Sequence, residues 1–210
     1  MPTRVYIEIG KRRVFASAAD WPGWARSDKD EQSALEALAA AAPRYAAVPK
    51  AARISFAPGA DFMVVERLPG DATTEFGAPS QIAEAERKRL TRKEAGRLSA
   101  LVAACWTVLD RVVEQAPPTL RKGPRGGGRD RDAIVDHVLG AEAGYARMIG
   151  LRLKQPPATD AAAVREHRNA IVAGIRGGTK VGNRWPARYA ARRIAWHSTE
   201  HAWEIEDRIG

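Results

Sequence analysis

The spacing of hydrophobic residues changes along the chain, and the first part has the short apolar runs that are typical of strands. Four such runs, rich in β-branched and aromatic residues, occur at residues 5–9, 13–16, 52–56 and 62–68. Between them, residues 30–45 place Leu35 and Leu38 beside a long alanine face, which predicts one helix with Asp28 as its cap. Residues 1–68 are therefore predicted to form an α+β module of about four strands and one helix.

From residue 84 onward the hydrophobic residues recur at helical spacing. Residues 69–83, rich in Pro, Gly, Asp, Thr and Ala, separate the two patterns and are predicted to be a linker. Four amphipathic segments follow, with a glycine-rich loop at 122–129 after the first; they lie at about residues 92–115, 130–153, 160–176 and 186–208. Helices of this number and length predict an all-α four-helix bundle over residues 84–210.

The composition is that of a globular protein with an excess of positive charge. Hydrophobic residues make up 45% and charged residues 28% of the 210 residues, and the net charge is +9. Because the positive residues are mostly arginines spread along the chain, we interpret them as solvated faces and expect no nucleic-acid partner. With one cysteine, no signal segment and no membrane-spanning run, we expect a cytoplasmic protein without a membrane partner. Whether it forms a homodimer stays open.

Three histidines carry the most specific chemical signal in the chain. His197 and His201 are four residues apart, so both imidazoles lie on one face of the last predicted helix, on its apolar stripe. His137 lies on the inward stripe of the second long helix, and the three could supply the nitrogen ligands of one metal ion. Such a set leaves a coordination position for water or substrate. The alternative is that they are core histidines hydrogen-bonded to Glu142, Glu200 or the backbone.

The fourth histidine, His167, lies on the third predicted long helix. Its spacing from Val164 and Ile171 would allow an inward position, but its immediate sequence neighbours are charged or polar. We therefore expect His167 to have a surface or rim position and to play no part in a metal site.

Two segments that contain these histidines resemble the DinB-like four-helix proteins. Residues 132–145 look like the second helix of that family and residues 192–208 look like its last helix. The resemblance covers about residues 84–210, and it implies a bundle that holds a divalent metal, commonly Zn or Ni. Carried over to this sequence, the resemblance implies that His137, His197 and His201 would be the metal ligands.

The resemblance also implies a function, because some DinB-like proteins transfer or isomerise groups with a low-molecular-weight thiol. The corresponding hypothesis is a metal-dependent transferase, isomerase or hydrolase, in which the ion activates a thiol or water and polarises a substrate carbonyl. Glu200, Glu142 and Tyr145 are the candidate catalytic residues, in acid–base or supporting roles.

The N-terminal part resembles a different family. Residues 21–38, which begin with Trp21-Pro22-Gly23-Trp24, are similar to the Pro-Gly turn and following helix of HicB-like domains, the partner-binding modules of antitoxins. The resemblance covers about residues 5–65 and implies a protein partner. It supports the alternative hypothesis of a non-catalytic, partner-binding protein in which the bundle is a scaffold.

Overall fold

One mixed sheet lies near the N-terminal end of the computed structural model, which describes residues 1–59, 61–123, 127–178 and 184–209. The sheet has the strand order β3-β2-β1-β4, and its strands are β1 (Thr3–Ile9), β2 (Val14–Ala18), β3 (Ala25–Asp28) and β4 (Phe62–Pro69). β1 runs antiparallel to β2 and parallel to β4. Val5 and Ile7 of β1 are fully buried, so this strand supplies apolar side chains to the core.

The third strand is not the predicted one, because residues 52–56 lie outside any strand. Instead, β3 follows a turn at Gly23, whose φ of 96° is in the left-handed region, and pairs with β2. The sequence of β3, Ala-Arg-Ser-Asp, has no apolar alternation, so the period-two pattern could not identify it. Phe56 packs its ring 5.4 Å from both Trp24 and Tyr45. The apolar character of residues 52–56 therefore serves core packing rather than strand pairing.

The single helix predicted at residues 30–45 is divided into shorter ones. The helices of this region are α1 (Glu31–Ala40), α2 (Ala42–Tyr45) and α3 (Ala47–Ala51). Asp30, rather than Asp28, caps α1, since its carboxylate accepts a hydrogen bond from the Ser33 N–H at 2.8 Å. Pro43 is tolerated in the first turn of α2, where no N–H is needed, but its ring and missing donor oppose a continuation of α1.

A buried carboxylate fixes the segment 69–83 that was predicted to be a linker. Two short elements lie in or next to this segment, α4 (Ala72–Phe76) and a 3₁₀ turn (Glu84–Arg87). Glu8 of β1 accepts hydrogen bonds from the backbone N–H groups of Ser80 and Gln81 at 2.9 and 3.0 Å, and from the hydroxyl of Thr74. One residue of the sheet therefore sets the path of the chain toward the long helices.

Four long helices make up most of the remaining described chain. They are α5 (Arg92–Gln115), α6 (Arg131–Met148), α7 (Ala161–Gly177) and α8 (Ala187–Arg208). α5 packs against α7 and α8, and both α6 and α7 contact α8. α6 ends before the predicted residue 153, and Gly150 beyond it takes a φ of 85°. None of the described helices combines the length and the apolar surface that crossing a bilayer requires. Gly126 of the predicted glycine-rich loop lies outside the described residues.

One hydrophobic cluster joins the sheet to the long helices. Its buried members come from both parts of the chain and include Val5, Ile7, Trp24, Leu101, Ile194 and Trp203. The indole N–H of Trp24 also donates a hydrogen bond to the Leu38 carbonyl at 2.9 Å, so this ring is satisfied as well as buried. The division into domains at residues 1–68 and 84–210 stays a prediction, and the two segments share this core.

α8 is buried along most of its length, and the buried residues include arginines. The guanidinium of Arg192 donates to both carboxylate oxygens of Glu86, at 2.6 and 2.9 Å. It also donates to the Gln81 carbonyl and lies over the rings of Tyr6 and Tyr189. This ion pair therefore joins α8 to the 3₁₀ turn and to β1.

We expect Glu86→Gln to lower the free energy of unfolding by about 3 kcal/mol, because it leaves the buried charge of Arg192 without a counter-charge. Urea unfolding of the variant and the natural protein at neutral pH measures this difference. Glu94→Gln is the matched control, since Glu94 pairs with Arg188 at 2.6 Å in a partly exposed position, where a pair contributes roughly 1 kcal/mol or less. Equal effects of the two substitutions would contradict the structural importance of the buried pair.

Candidate metal centre

Three histidines from two helices converge on one point. α6 supplies His137, and α8 supplies His197 and His201, whose spacing of one helical turn places both on the same face. The ring centroids of His137 lie 5.1 Å from His197 and 4.9 Å from His201, and those of the α8 pair are 4.5 Å apart. One ring nitrogen of each histidine lies within 4.8 Å of the other two. The three side chains are thus close enough to hold one metal ion.

The cluster lies at the edge of the protein core. His197 is buried, with 7% of its surface exposed, whereas His137 and His201 are partly buried. Nδ1 of His197 is buried and has no hydrogen-bond partner among the described residues. A buried polar atom without a partner is costly. Since this nitrogen lies beside two other imidazoles, a metal ion bound between them would supply its partner.

The surroundings of the cluster favour neutral imidazoles. Burial lowers the pKa of His197 well below its usual range, and the charges of nearby His201 and Arg193 act in the same direction. Burial also lowers the pKa of His137, with a further contribution from His201. Because only the neutral ring has a lone pair for a metal, these two histidines are held in the form that can act as a ligand.

Glu204 supports the cluster, although it was not among the site residues that the sequence patterns predict. A carboxylate oxygen of Glu204 lies 2.7 Å from Nδ1 of His201, and its other oxygen accepts a hydrogen bond from Arg208 at 2.8 Å. The contact with His201 lowers the pKa of Glu204. A carboxylate that holds one nitrogen of a histidine orients the ring and leaves the other nitrogen for a metal. The signal in the sequence is the spacing of three residues between positions 201 and 204.

Two of the three predicted catalytic residues, Tyr145 and Glu200, differ in their position relative to the histidines. The ring of Tyr145 lies edge-on to His197, at 5.6 Å between centroids, and is therefore beside the cluster. Glu200 is turned toward the sheet, where its carboxylate accepts a hydrogen bond from Nη1 of Arg26 at 3.2 Å. The structure therefore brings Tyr145, but not the carboxylate of Glu200, into contact with the histidines.

The third predicted residue, Glu142, belongs to a separate buried group. Its carboxylate lies 3.4 Å from Nε of Arg168, whose Nη1 also donates to Asp110 at 2.8 and 2.9 Å. Burial raises the pKa of Glu142 to about 7. His167 lies in the same group, with Nε2 3.9 Å from Glu142, and only 6% of its surface is exposed. The expectation of a surface or rim position for His167 is therefore wrong, because α7 turns this side chain toward α6.

Comparisons with known proteins give no further guide to this site. No family model, no curated protein and no solved structure matches the chain. The resemblances to DinB-like and HicB-like proteins therefore stay predictions, and the chemistry of the site rests on the geometry of its residues.

We expect Glu204→Gln to weaken metal binding by about 10- to 100-fold, because the amide lacks the negative charge that makes the His201 ring a stronger ligand. Competition with a chromogenic chelator measures the affinity. Glu206→Gln is the matched control on the same helix, since Glu206 pairs with Arg44 at 2.7 Å and should leave metal binding unchanged. A similar loss in both variants would show that Glu204 acts only through general charge.

Without metal, we expect stability to fall as the pH is lowered through about 6.5, the ordinary histidine value. The unfolded chain then takes up a proton at His197, whereas the folded protein, in which the pKa is lowered, does not. His197→Gln should therefore reduce the loss of unfolding free energy between pH 6.5 and 5.5 by roughly 1 kcal/mol. Urea unfolding with a chelator at both pH values tests this, and parallel pH profiles for the two proteins would contradict it.

Proposed function

We propose that the chain is a metal-dependent protein of the DinB-like kind, in which α5 to α8 form a four-helix bundle around a divalent ion. The observation that carries the proposal is the convergence of His137, His197 and His201, with one nitrogen of each within 4.8 Å of the others. The contacts of α8 with α5, α6 and α7 support the bundle. Bundles commonly place metal sites between inward side chains of facing helices, as these histidines are placed.

The donor set favours a transition metal over magnesium or calcium, and the resemblance to DinB-like proteins favours zinc or nickel. Three imidazoles are borderline ligands that suit Zn, Ni, Cu and Fe, whereas Mg and Ca prefer oxygen. The carboxylates of Glu142 and Glu200 are engaged by Arg168 and Arg26, so neither adds an oxygen ligand in the described structure. Three protein ligands leave a position for an outside molecule, which is typical of catalytic rather than structural zinc. When bound, such an ion lowers the pKa of a thiol or water and polarises a carbonyl oxygen.

The proposed activity is transfer or isomerisation with a small thiol, and hydrolysis is the nearest variant of it. The thiol must come from outside, because the one cysteine, Cys105, is completely buried and its pKa is raised to about 12. Tyr145, beside His197, is the proposed proton donor to the substrate. Burial raises the pKa of Tyr145, which keeps the phenol protonated at neutral pH.

Metal content and thiol turnover test the proposal together. Protein prepared without a histidine tag should contain a stoichiometric divalent ion, and His201→Ala should reduce the affinity for zinc by at least about 100-fold. His167→Gln is the control, because this histidine lies with Glu142 rather than in the cluster, and it should leave the zinc affinity unchanged.

The second measurement follows both the loss of cysteine or glutathione and the conversion of each of a panel of electrophiles, because an isomerisation regenerates the thiol. Turnover by the zinc and nickel forms that is lost in His201→Ala, but kept in His167→Gln, supports the enzyme. Stoichiometric metal without turnover of any thiol would limit the function to metal binding. A protein that binds no divalent ion would overturn the proposal.

A further inference from the structure

A buried arginine lies one helical turn before the first histidine of α8. The guanidinium carbon of Arg193 is 5.4 Å from the ring centroid of Tyr145 and 4.7 Å from that of Trp196. Only 9% of the surface of Arg193 is exposed. Residues 193 and 197 are four positions apart on a helix, so Arg193 lies on the same face of α8 as the metal cluster.

The charge of Arg193 has no counter-charge in the described structure. Its Nη1 is buried without a hydrogen-bond acceptor, and no described carboxylate forms an ion pair with it. The adjacent Arg192, by contrast, pairs with both oxygens of Glu86. Aromatic rings stabilise the faces of a guanidinium, but its N–H donors point outward in the plane and need acceptors. A buried charged donor in this state is costly unless another molecule supplies the acceptor.

Arg193 lies close to the three histidines. Tyr145 contacts both groups, since its ring packs against the Arg193 guanidinium on one side and lies 5.6 Å from the His197 ring. The positive charge of Arg193 also contributes to the lowered pKa of His197. A small molecule held at the histidines would therefore have its next functional group beside Arg193.

We propose that Arg193 binds a carboxylate group of the molecule that the metal site takes, so that the site selects short carboxylate-bearing thiols or substrates. This inference rests on the proposed function. A planar guanidinium matches a carboxylate through paired N–H donors, which favours a carboxylate over a neutral amide of the same size. Tyr145 and Trp196 hold the guanidinium in place, so little rotational freedom is lost when the acid binds.

Cobalt-loaded protein and two matched thiols test the proposal. The probes are 3-mercaptopropionate and 3-mercaptopropionamide, which differ only in carrying a carboxylate or a neutral amide at the end opposite the thiol, and binding is followed by the cobalt absorption spectrum. We expect the acid to bind at least about tenfold more tightly than the amide. Arg193→Met should remove this preference while the variant still binds one cobalt ion, and Arg193→Lys should keep part of it. Stoichiometric cobalt binding also shows that the variants fold.

The control variant is Arg97→Met, which removes another arginine packed on an aromatic ring, 4.4 Å from the centroid of Trp21. It should keep the full preference for the acid. If cobalt binds but the natural protein binds the two thiols equally, or if Arg193→Met keeps the preference, the role of Arg193 is overturned while the metal site stands.

A second arm separates failure of the metal site from failure of the arginine site. If no cobalt binds, the proposed function fails, and isothermal titration of metal-free protein with propionate and propionamide then decides on Arg193. Binding of propionate alone, lost in Arg193→Met and kept in Arg97→Met, supports the carboxylate site. Equal binding of the two compounds, or binding of neither, overturns it.

Discussion

The rest of the structure depends on the burial of α8, because a helix surrounded by protein must find partners inside for every polar group that it carries. Arg192 has Glu86, and the hydroxyl of Ser198 donates to the Ile194 carbonyl one turn earlier. Arg193 and His197 are buried on the same helix, but each retains an atom without an acceptor or donor among the described residues. The helix thus carries polar groups that the protein itself satisfies and others, Arg193 and His197 among them, that have no partner among the described residues.

The burial of α8 fixes two of the three clustered histidines, whereas the third belongs to a helix with fewer contacts. The cluster of core residues that spans the sheet, α5 and α8 fixes the pair His197 and His201 relative to the whole protein. His137 comes from α6, which contacts α8 but, in the part of the chain that the structure describes, has no extensive contact with the sheet. A bound ion would therefore add a second connection between α6 and the largely buried α8. Glu204, held by Arg208, restricts the His201 ring before any ion arrives.

Sequence patterns predicted the features that follow from regular spacing, such as the face of a helix. They failed for features that depend on contacts with residues far away in the sequence. The stripe that carries His197 and His201 follows from the helical period, and the structure brings both to His137. β3 was not predicted because its backbone pairs with β2 although its sequence has no apolar alternation. His167 was wrongly expected at the surface because charged sequence neighbours suggest exposure, whereas its neighbour Arg168 is itself buried and both side chains approach Glu142 of α6. Nothing in the local sequence states which element will cover a given face.

The distance along the chain between contacting residues has a consequence for synthesis. Arg26 of β3 pairs with Glu200 of α8, 174 residues later in the sequence, and Glu86 pairs with Arg192, 106 residues later. On the ribosome, the sheet and its first helices emerge long before the helix that covers them. Their apolar face is exposed during that interval, when aggregation competes with folding. The shared core can therefore be completed only after α8 has left the exit tunnel.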